Sequence, residues 1–242
     1  MTERVSIGDI LQGERTGRPV RVRGWVYRTR SSGGIAFLLL RDATGVVQST
    51  FRKEEVGDAL FATVEEAGRE AAVVVDGVVA EDARAPGGYE VRGTGLEIVG
   101  PSSNFPIARD LSEEFLLDVR HLWVRSRRMT SIFKVRSTIF RAIHDYFREE
   151  GFYEVQPPII TPVGSEGGAT LFQVRYFDRN LHLTQSWQLY AEALVMALER
   201  IYTVAPSFRA EKSRTPRHLT EFWLAEMEVA WEGMETALHH GE

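Results

Sequence analysis

Between Phe208 and Ala230 the sequence FRAEKSRTPRHLTEFWLAEMEVA concentrates side chains that few chemistries need together. Arg209 and Glu211 alternate on one face of what reads as a strand, and Glu221, Phe222, Glu226 and Glu228 lie on or beside a second one. Lys212, Arg214, Arg217 and His218 form a basic loop between them. The set offers an arginine to neutralise phosphate charge, an aromatic platform, and acidic groups close to both. An amphipathic hairpin with a solvated basic tip is the plainer alternative.

Two upstream groups add to this. Ser165-Glu166-Gly167-Gly168-Ala169-Thr170-Leu171-Phe172 reads as a mobile loop, because paired glycines remove the side-chain restriction on backbone motion. Leu183-Thr184-Gln185-Ser186-Trp187-Gln188-Leu189-Tyr190 follows closely and opens a helix running to about Ile201, on which Leu194, Val195, Leu198 and Ile201 read as core.

The elements that must hold these groups fall into two parts. In residues 1–100, Val20 to Tyr27 alternates apolar and polar residues. Ile35 to Leu40 follows the turn Ser31-Ser32-Gly33-Gly34, and Val46 to Phe51 follows Ala43-Thr44-Gly45. A helical stretch over Glu54 to Gly68 precedes two more β runs, Ala71 to Val79 and Tyr89 to Val99. Three strands, a helix and two strands is the order of a five-stranded OB-fold barrel, a common binder of single-stranded nucleic acid; an SH3-like barrel would give a similar pattern. Residues 101–128 read as linker and hinge, from PSSNFP to a segment bearing Arg120, Arg125, Arg127 and Arg128, which suits either RNA backbone or a solvated face. Over Met129 to Glu150, the residues Ile132, Val135, Ile139, Ile143, Tyr146 and Phe147 have the spacing of a core-facing helix, and Gly151 is placed to end it. The fold class is α+β.

Composition excludes several classes. A chain of 242 residues, 43% hydrophobic and 26% charged, can bury a sizeable core in one or two soluble domains. The absence of cysteine removes disulfides, thiolate metal sites and thiol nucleophiles. The six histidines include no pair at metal-ligand spacing, so no metal-binding residue is assigned. A net charge of −5 confines any RNA contact to local patches. No run approaches the roughly 18 apolar residues of a membrane span, and MTERVSIGDI lacks a signal-peptide core, so a cytoplasmic protein is expected.

Phe208-Arg209-Ala210-Glu211 with His218-Leu219-Thr220-Glu221-Phe222 resembles motif 2 of the class II aminoacyl-tRNA synthetases. Gly24 to Phe51 resembles the anticodon-binding barrel of the class IIb branch, and the helix ending in Phe152 to Pro158 resembles motif 1. The Ser165 loop followed by the Ser186–Gln188 segment is similar to archaeal-type aspartyl and asparaginyl members. The resemblance implies that residues 129–242 form part of an antiparallel-sheet catalytic domain and that Pro158 lies at a homodimer interface. It implies ATP and Mg²⁺ as cofactors, with Arg209 as the catalytic residue on the substrate carboxylate and α-phosphate. Glu211 and Phe222 would hold the adenine, and Arg217 with His218 would meet the outer phosphates. Glu166, Ser186, Gln188, Glu192 and Glu226 would form the amino-acid pocket. Arg30, Phe37 and Gln48 would read the anticodon loop, while the loop from Lys212 to Pro216 would face the acceptor end of the tRNA.

Aspartyl members carry a lysine where this sequence has Ala191, and Glu192 follows. A carboxylate repels aspartate yet accepts a hydrogen bond from the asparagine amide, so the resemblance points to asparagine. An aspartyl enzyme of relaxed tRNA choice and a non-catalytic tRNA-binding fragment are the alternatives. After Ala230 nothing matches the Gly-rich, arginine-bearing motif 3 of class II enzymes. The resemblance therefore extends over the N-terminal half of such an enzyme, and the isolated chain is expected to be truncated and inactive.

Overall fold

A computed structural model describes residues 3–107, 111–164, 171–212, 215 and 217–241. The chain divides into two compact units, Met1–Trp123 and Val124–Glu242.

The first unit contains β1 (Glu3–Arg4), α1 (Ile7–Leu11), β2 (Pro19–Ser32), β3 (Ile35–Arg41), β4 (Val46–Arg52), α2 (Lys53–Glu66), β5 (Ala72–Glu81), β6 (Tyr89–Gly100), α3 (Glu113–Asp118) and α4 (Arg120–Trp123). Strands β2-β3-β4-β6-β5 are hydrogen-bonded in that order, and β5 pairs back onto β2, so five strands close into a ring with the OB-fold order. The long β2 makes closure possible: Pro19–Trp25 pair with β5 and Trp25–Ser32 with β3, with an irregularity between Val26 and Arg28. The pairing of Ser32 with Ile35 narrows the expected four-residue turn to Gly33-Gly34, both at positive φ as a two-residue hairpin loop requires. Inward residues Val20, Val22, Val26, Leu38, Leu40, Val47, Phe51, Val75 and Val91 fill the interior, and Phe61 and Val64 of α2 pack on it. The helix α1, unforeseen from periodicity, adds Ile7 and Ile10 to this core and is closed by reciprocal hydrogen bonds between Ser6 and Asp9, a capping box.

The second unit contains α5 (Arg127–Glu149), β7 (Tyr153–Glu154), β8 (Ile160–Thr161), β9 (Gln173–Tyr176), β10 (Arg179–Leu183), α6 (Gln188–Leu198), β11 (Arg200–Phe208), β12 (Glu221–Val229) and α7 (Met234–Gly241). Strands β12-β11-β7 form one sheet and β8-β10-β9 another. Opposite residues of an antiparallel pair share a face, so β11 and β12 present two distinct sets. Tyr202, Val204, Met227 and Val229 pack against Phe140, Ile143 and Phe147 of α5. Ile201, paired with Glu228, lies on the other face against Trp187, which precedes α6, and Ala191 and Val195 of α6. Among the described residues, no helix is long and apolar enough to cross a membrane.

Three expectations about these elements change. The helix α6 stops at Leu198, and Ile201 is a buried residue of β11, because the β-branched and aromatic run Ile201-Tyr202-Thr203-Val204 favours a pleated, covered position. Arg209 and Glu211 lie beyond β11, which ends at Phe208; one further bond, Arg209 N–H to the Thr220 carbonyl at 2.9 Å, closes the ladder. Past that rung the residues on both sides are mostly exposed, leaving a strand no face to bury. Finally, α5 is core-facing only toward its C-terminal end, where Phe147 is buried, Ile143 packs on the core, and Gly151 at φ +81° follows the terminus. Ile132, Val135 and Ile139 remain 46%, 58% and 52% exposed. A 23-residue helix is about 34 Å long, and the sheet covers only one end of it.

Candidate functional site

The face shared by β11 and β12 on the α6 side carries, along β12, Phe222, Leu224, Glu226 and Glu228, opposite Ser207, Ala205, Thr203 and Ile201. Strand geometry spaces alternate residues by roughly 7 Å, so an aromatic ring, an apolar position and two carboxylates succeed one another along one line. At the Phe222 end the Arg209 guanidinium lies 5.3 Å from the ring centroid. A cation on an aromatic face is pre-placed for an anion next to a stacked base.

At the Glu226 end the segment before α6 comes in. Ser186 Oγ donates to Glu226 Oε1 at 2.5 Å and accepts the Gln188 backbone N–H at 3.2 Å, which fixes the hydroxyl between carboxylate and helix start. Gln188 Nε2 lies 3.5 Å from Glu192 Oε1, one helical turn on. Burial, then the charges of Glu192 and Glu226, push the Glu228 carboxyl above its ordinary value. The arrangement thus unites Ser186, Gln188, Glu192, Glu226 and Glu228 around one end of the strand pair. Ala191 faces away from solvent within the α6 cluster.

The remaining expected residues sit apart from this line. Glu211 and Arg217 are exposed in the segment between β11 and β12. His218 Nδ1 contacts the Thr215 hydroxyl, and its backbone N–H reaches the Thr215 carbonyl at 3.3 Å. Pro158 is exposed between β7 and β8. Glu166, Arg214 and the Ser165–Thr170 loop lie outside the described residues. The unburied stripe of α5, with Leu219 and Trp223, lines an open groove of about 790 Å³.

On the ring of the first unit, Arg30, Phe37 and Thr50 are successive cross-strand partners on the outer face, and Leu39 and Gln48 form the next row. The Arg30 guanidinium is 4.7 Å from the Phe37 ring centroid. Gln48 is buried, and so is Glu90, which sequence reasoning missed. Glu90 Oε2 accepts Thr50 Oγ1 at 2.6 Å and Gln48 Nε2 at 3.3 Å. A buried carboxylate that claims the Gln48 amide nitrogen fixes which end of that side chain is left to another partner. Period-2 alternation along Tyr89–Val99 could have placed Glu90 outward, but its partners come from the non-local β4–β6 pairing.

Residues 112–241 match the family described as tRNA synthetases class II (D, K and N), and residues 20–99 match the OB-fold nucleic acid binding domain. The asparagine–tRNA ligase of Thermoplasma acidophilum is 48% identical over 227 residues, covering 94% of this chain and 53% of that protein. That of Thermococcus kodakarensis is 46% identical over 231 residues, 96% and 53% of the two chains. The crystal structure of asparaginyl-tRNA synthetase from Pyrococcus horikoshii complexed with asparaginyl-adenylate superposes with a TM-score of 0.94 at 43% identity, covering 100% of this chain and 56% of that one. The chain spans about half the length of the relatives it matches. With the synthetase model matching more than half of its residues, the chain belongs to the class II aminoacyl-tRNA synthetases of the aspartate, lysine and asparagine group.

Proposed function

We propose that this chain carries the anticodon-reading part and the ATP- and asparagine-binding elements of motif 2 of an asparagine–tRNA ligase. The observation that supports this most directly is the order of groups on the β11–β12 face: Arg209 over Phe222, then Ser186 bonded to Glu226, then Glu228 beside Glu192. An aminoacyl-adenylate has the same order of adenine, phosphate, ammonium and side chain.

In this reading the asparagine carboxylate attacks the α-phosphate of ATP and pyrophosphate leaves. The 3′-terminal hydroxyl of tRNA then attacks the adenylate carbonyl and AMP leaves. Catalysis is positioning and charge neutralisation. Arg209 meets the carboxylate and α-phosphate, Phe222 and Glu211 hold the adenine, and Arg217 with His218 meets the outer phosphates, with Mg²⁺ arriving on the nucleotide. Glu226, oriented by Ser186, takes the substrate ammonium, with Glu166 closing over it. Gln188 and Glu192 line the side-chain end. The carboxylates of Glu192, Glu226 and Glu228 near one another favour a neutral amide over an aspartate side chain, since a further group of like charge is repelled. The exposed stripe Ile132, Val135 and Ile139, with Pro158, fits a homodimer interface. A cytoplasmic location accords with the substrates.

The reading is tested by amino-acid-dependent ATP–pyrophosphate exchange in a protein carrying this sequence within a complete catalytic domain. Asparagine should drive exchange and aspartate should not; the reverse preference makes the protein an aspartyl enzyme. For the ring, Phe37→Ala should weaken binding of an anticodon stem-loop bearing GUU by about 1–3 kcal/mol, the value of one base stack. Equal affinity in a folded variant removes Phe37 from the reading surface.

A further inference from the structure

The outer face of β2 carries a row of cations. Opposite residues of an antiparallel pair share a face, so Arg30 with Phe37, Arg28 with Leu39 and Trp25 with Arg41 succeed one another on the side away from the core. Further back along the strand, Arg23 and Arg21 continue the line opposite Val74 and Asp76 of β5. Burial follows the same division: Val22 and Val26 are buried, while Arg21, Arg23, Trp25, Arg28 and Arg30 are exposed.

Part of this charge is spent within the fold. Asp76 accepts from Nε and Nη2 of Arg21 at 2.8 and 2.7 Å, and Glu70 accepts from Nε and Nη2 of Arg41, whose guanidinium also lies 5.2 Å from the Trp25 ring centroid. Arg23 and Arg28 are different. Neither side chain holds a carboxylate among the described residues, and in the row of Arg23 the Glu97 carboxylate stands beyond Val74, two strand spacings or roughly 10 Å away. Arg23 and Trp25 also line an open groove of about 820 Å³ with Arg4, Asp42 and Glu97. Asp42 is turned inward there, since its oxygens accept the N–H groups of Ile7, Thr44 and Gly45.

We propose that Arg23 and Arg28 form a phosphate track that receives the backbone of the anticodon stem, beside the Arg30, Phe37 and Gln48 surface. This rests on the function proposed above. Arg28 stands in the row of Leu39 and Gln48, and from there β2 runs away from the Gly33-Gly34 turn toward Arg23. With the unpaired loop bases at the Phe37 end, what continues along the strand is the duplex that closes the loop. Five residues of extended chain separate the two arginines by roughly 16 Å, enough to meet several phosphates of one strand. In a chain of net charge −5, such unneutralised cations on one face are a local match for A-form RNA, which proteins grip by its backbone.

The test measures, for the 242-residue chain across a series of salt concentrations, binding of the GUU anticodon stem-loop and of a single strand carrying the loop sequence alone. Arg23→Gln and Arg28→Gln should each weaken stem-loop binding about five- to tenfold at 0.1 M salt and reduce the slope of log affinity against log salt by about 0.7–1, the value of one phosphate contact. Binding of the single strand should not change. The double variant Arg21→Gln/Asp76→Asn, which removes a cation already neutralised and keeps the net charge, should match the unaltered chain with both RNAs. Unchanged stem-loop affinity and slope in Arg23→Gln and Arg28→Gln overturn the proposal. So does an equal loss for the single strand, which would assign these arginines to the loop, or a loss of the same size in the double variant, which would make the effect general to the face. An unaltered chain that binds the GUU stem-loop no better than one with a permuted loop sinks the functional reading itself, before any variant is compared.

Discussion

Glu226→Gln in a protein carrying this sequence within a complete catalytic domain should lower kcat/KM for asparagine in pyrophosphate exchange by about 10²–10³, the usual effect of removing one preorganised charged contact. Glu226 is held by the Ser186 hydroxyl at 2.5 Å, and Ser186 is itself fixed by the Gln188 N–H, so the carboxylate is already oriented before substrate arrives. Glutamine keeps the volume and loses the charge that an ammonium requires. Ser186→Ala, which leaves the carboxylate but frees its rotation, should cost only about tenfold, in keeping with one hydrogen bond to a charged group. Both losses should fall on asparagine, with the KM for ATP little changed. A defect confined to ATP would mean that Glu226 serves the nucleotide and that the order of groups along β12 has been assigned backwards.

Phe51→Ala should destabilise the first unit by about 3–5 kcal/mol, measured by urea denaturation. Phe51 is fully buried at the end of β4, among the residues that fill the ring. Its ring is so close to β6 that a Cβ on Gly93 would lie 2.3 Å from Cε1. Gly93→Ala alone should therefore be destabilising through overpacking. In the double variant the new methyl enters space the ring has left, so the combined loss should be smaller than the sum of the two. Additive losses would show that Phe51 and Gly93 do not share that space in solution.

Much of the fold is legible in the sequence because it depends on neighbours along the chain. The strand periods from Val20 to Val99 mark which side chains can face inward, and Ser31-Ser32-Gly33-Gly34 marks a turn, which closes to the two residues Gly33-Gly34 once Ser32 pairs with Ile35. Ser6 and Asp9, three apart, also hold a local signal for α1, but five residues give no periodicity to notice. The stripe on α5 misleads for the opposite reason: 3.6-residue periodicity tells that Ile132, Val135 and Ile139 share a side with Ile143, but not where the covering sheet stops. Likewise, alternation places Arg209 and Glu211 on one side of an extended segment, while the end of the strand depends on whether anything lies over it.

At the candidate site, residue types and their order in the chain already nominate Arg209, Phe222 and Glu226, since aromatic, cationic and acidic groups at these spacings suit few tasks, and the family resemblance adds Ser186, Gln188 and Glu192. That Ser186 would orient Glu226 from 40 positions away is not written in any local pattern. Nor is the cluster formed by Glu192, Glu226 and Glu228, whose mutual repulsion together with burial raises the Glu228 carboxyl. Glu90 under Gln48 and the pairing of Arg21 with Asp76 arise in the same way, from strands distant in sequence. By itself, then, the sequence determined the strands of the ring and the faces they present and, through the motifs it shares, the family the chain belongs to, because these follow from short-range periodicity and motif spacing. Only the tertiary structure decided which charges are buried, which carboxylates repel one another and which apolar faces stay open, because burial and electrostatic energy depend on what the rest of the chain brings within a few ångströms.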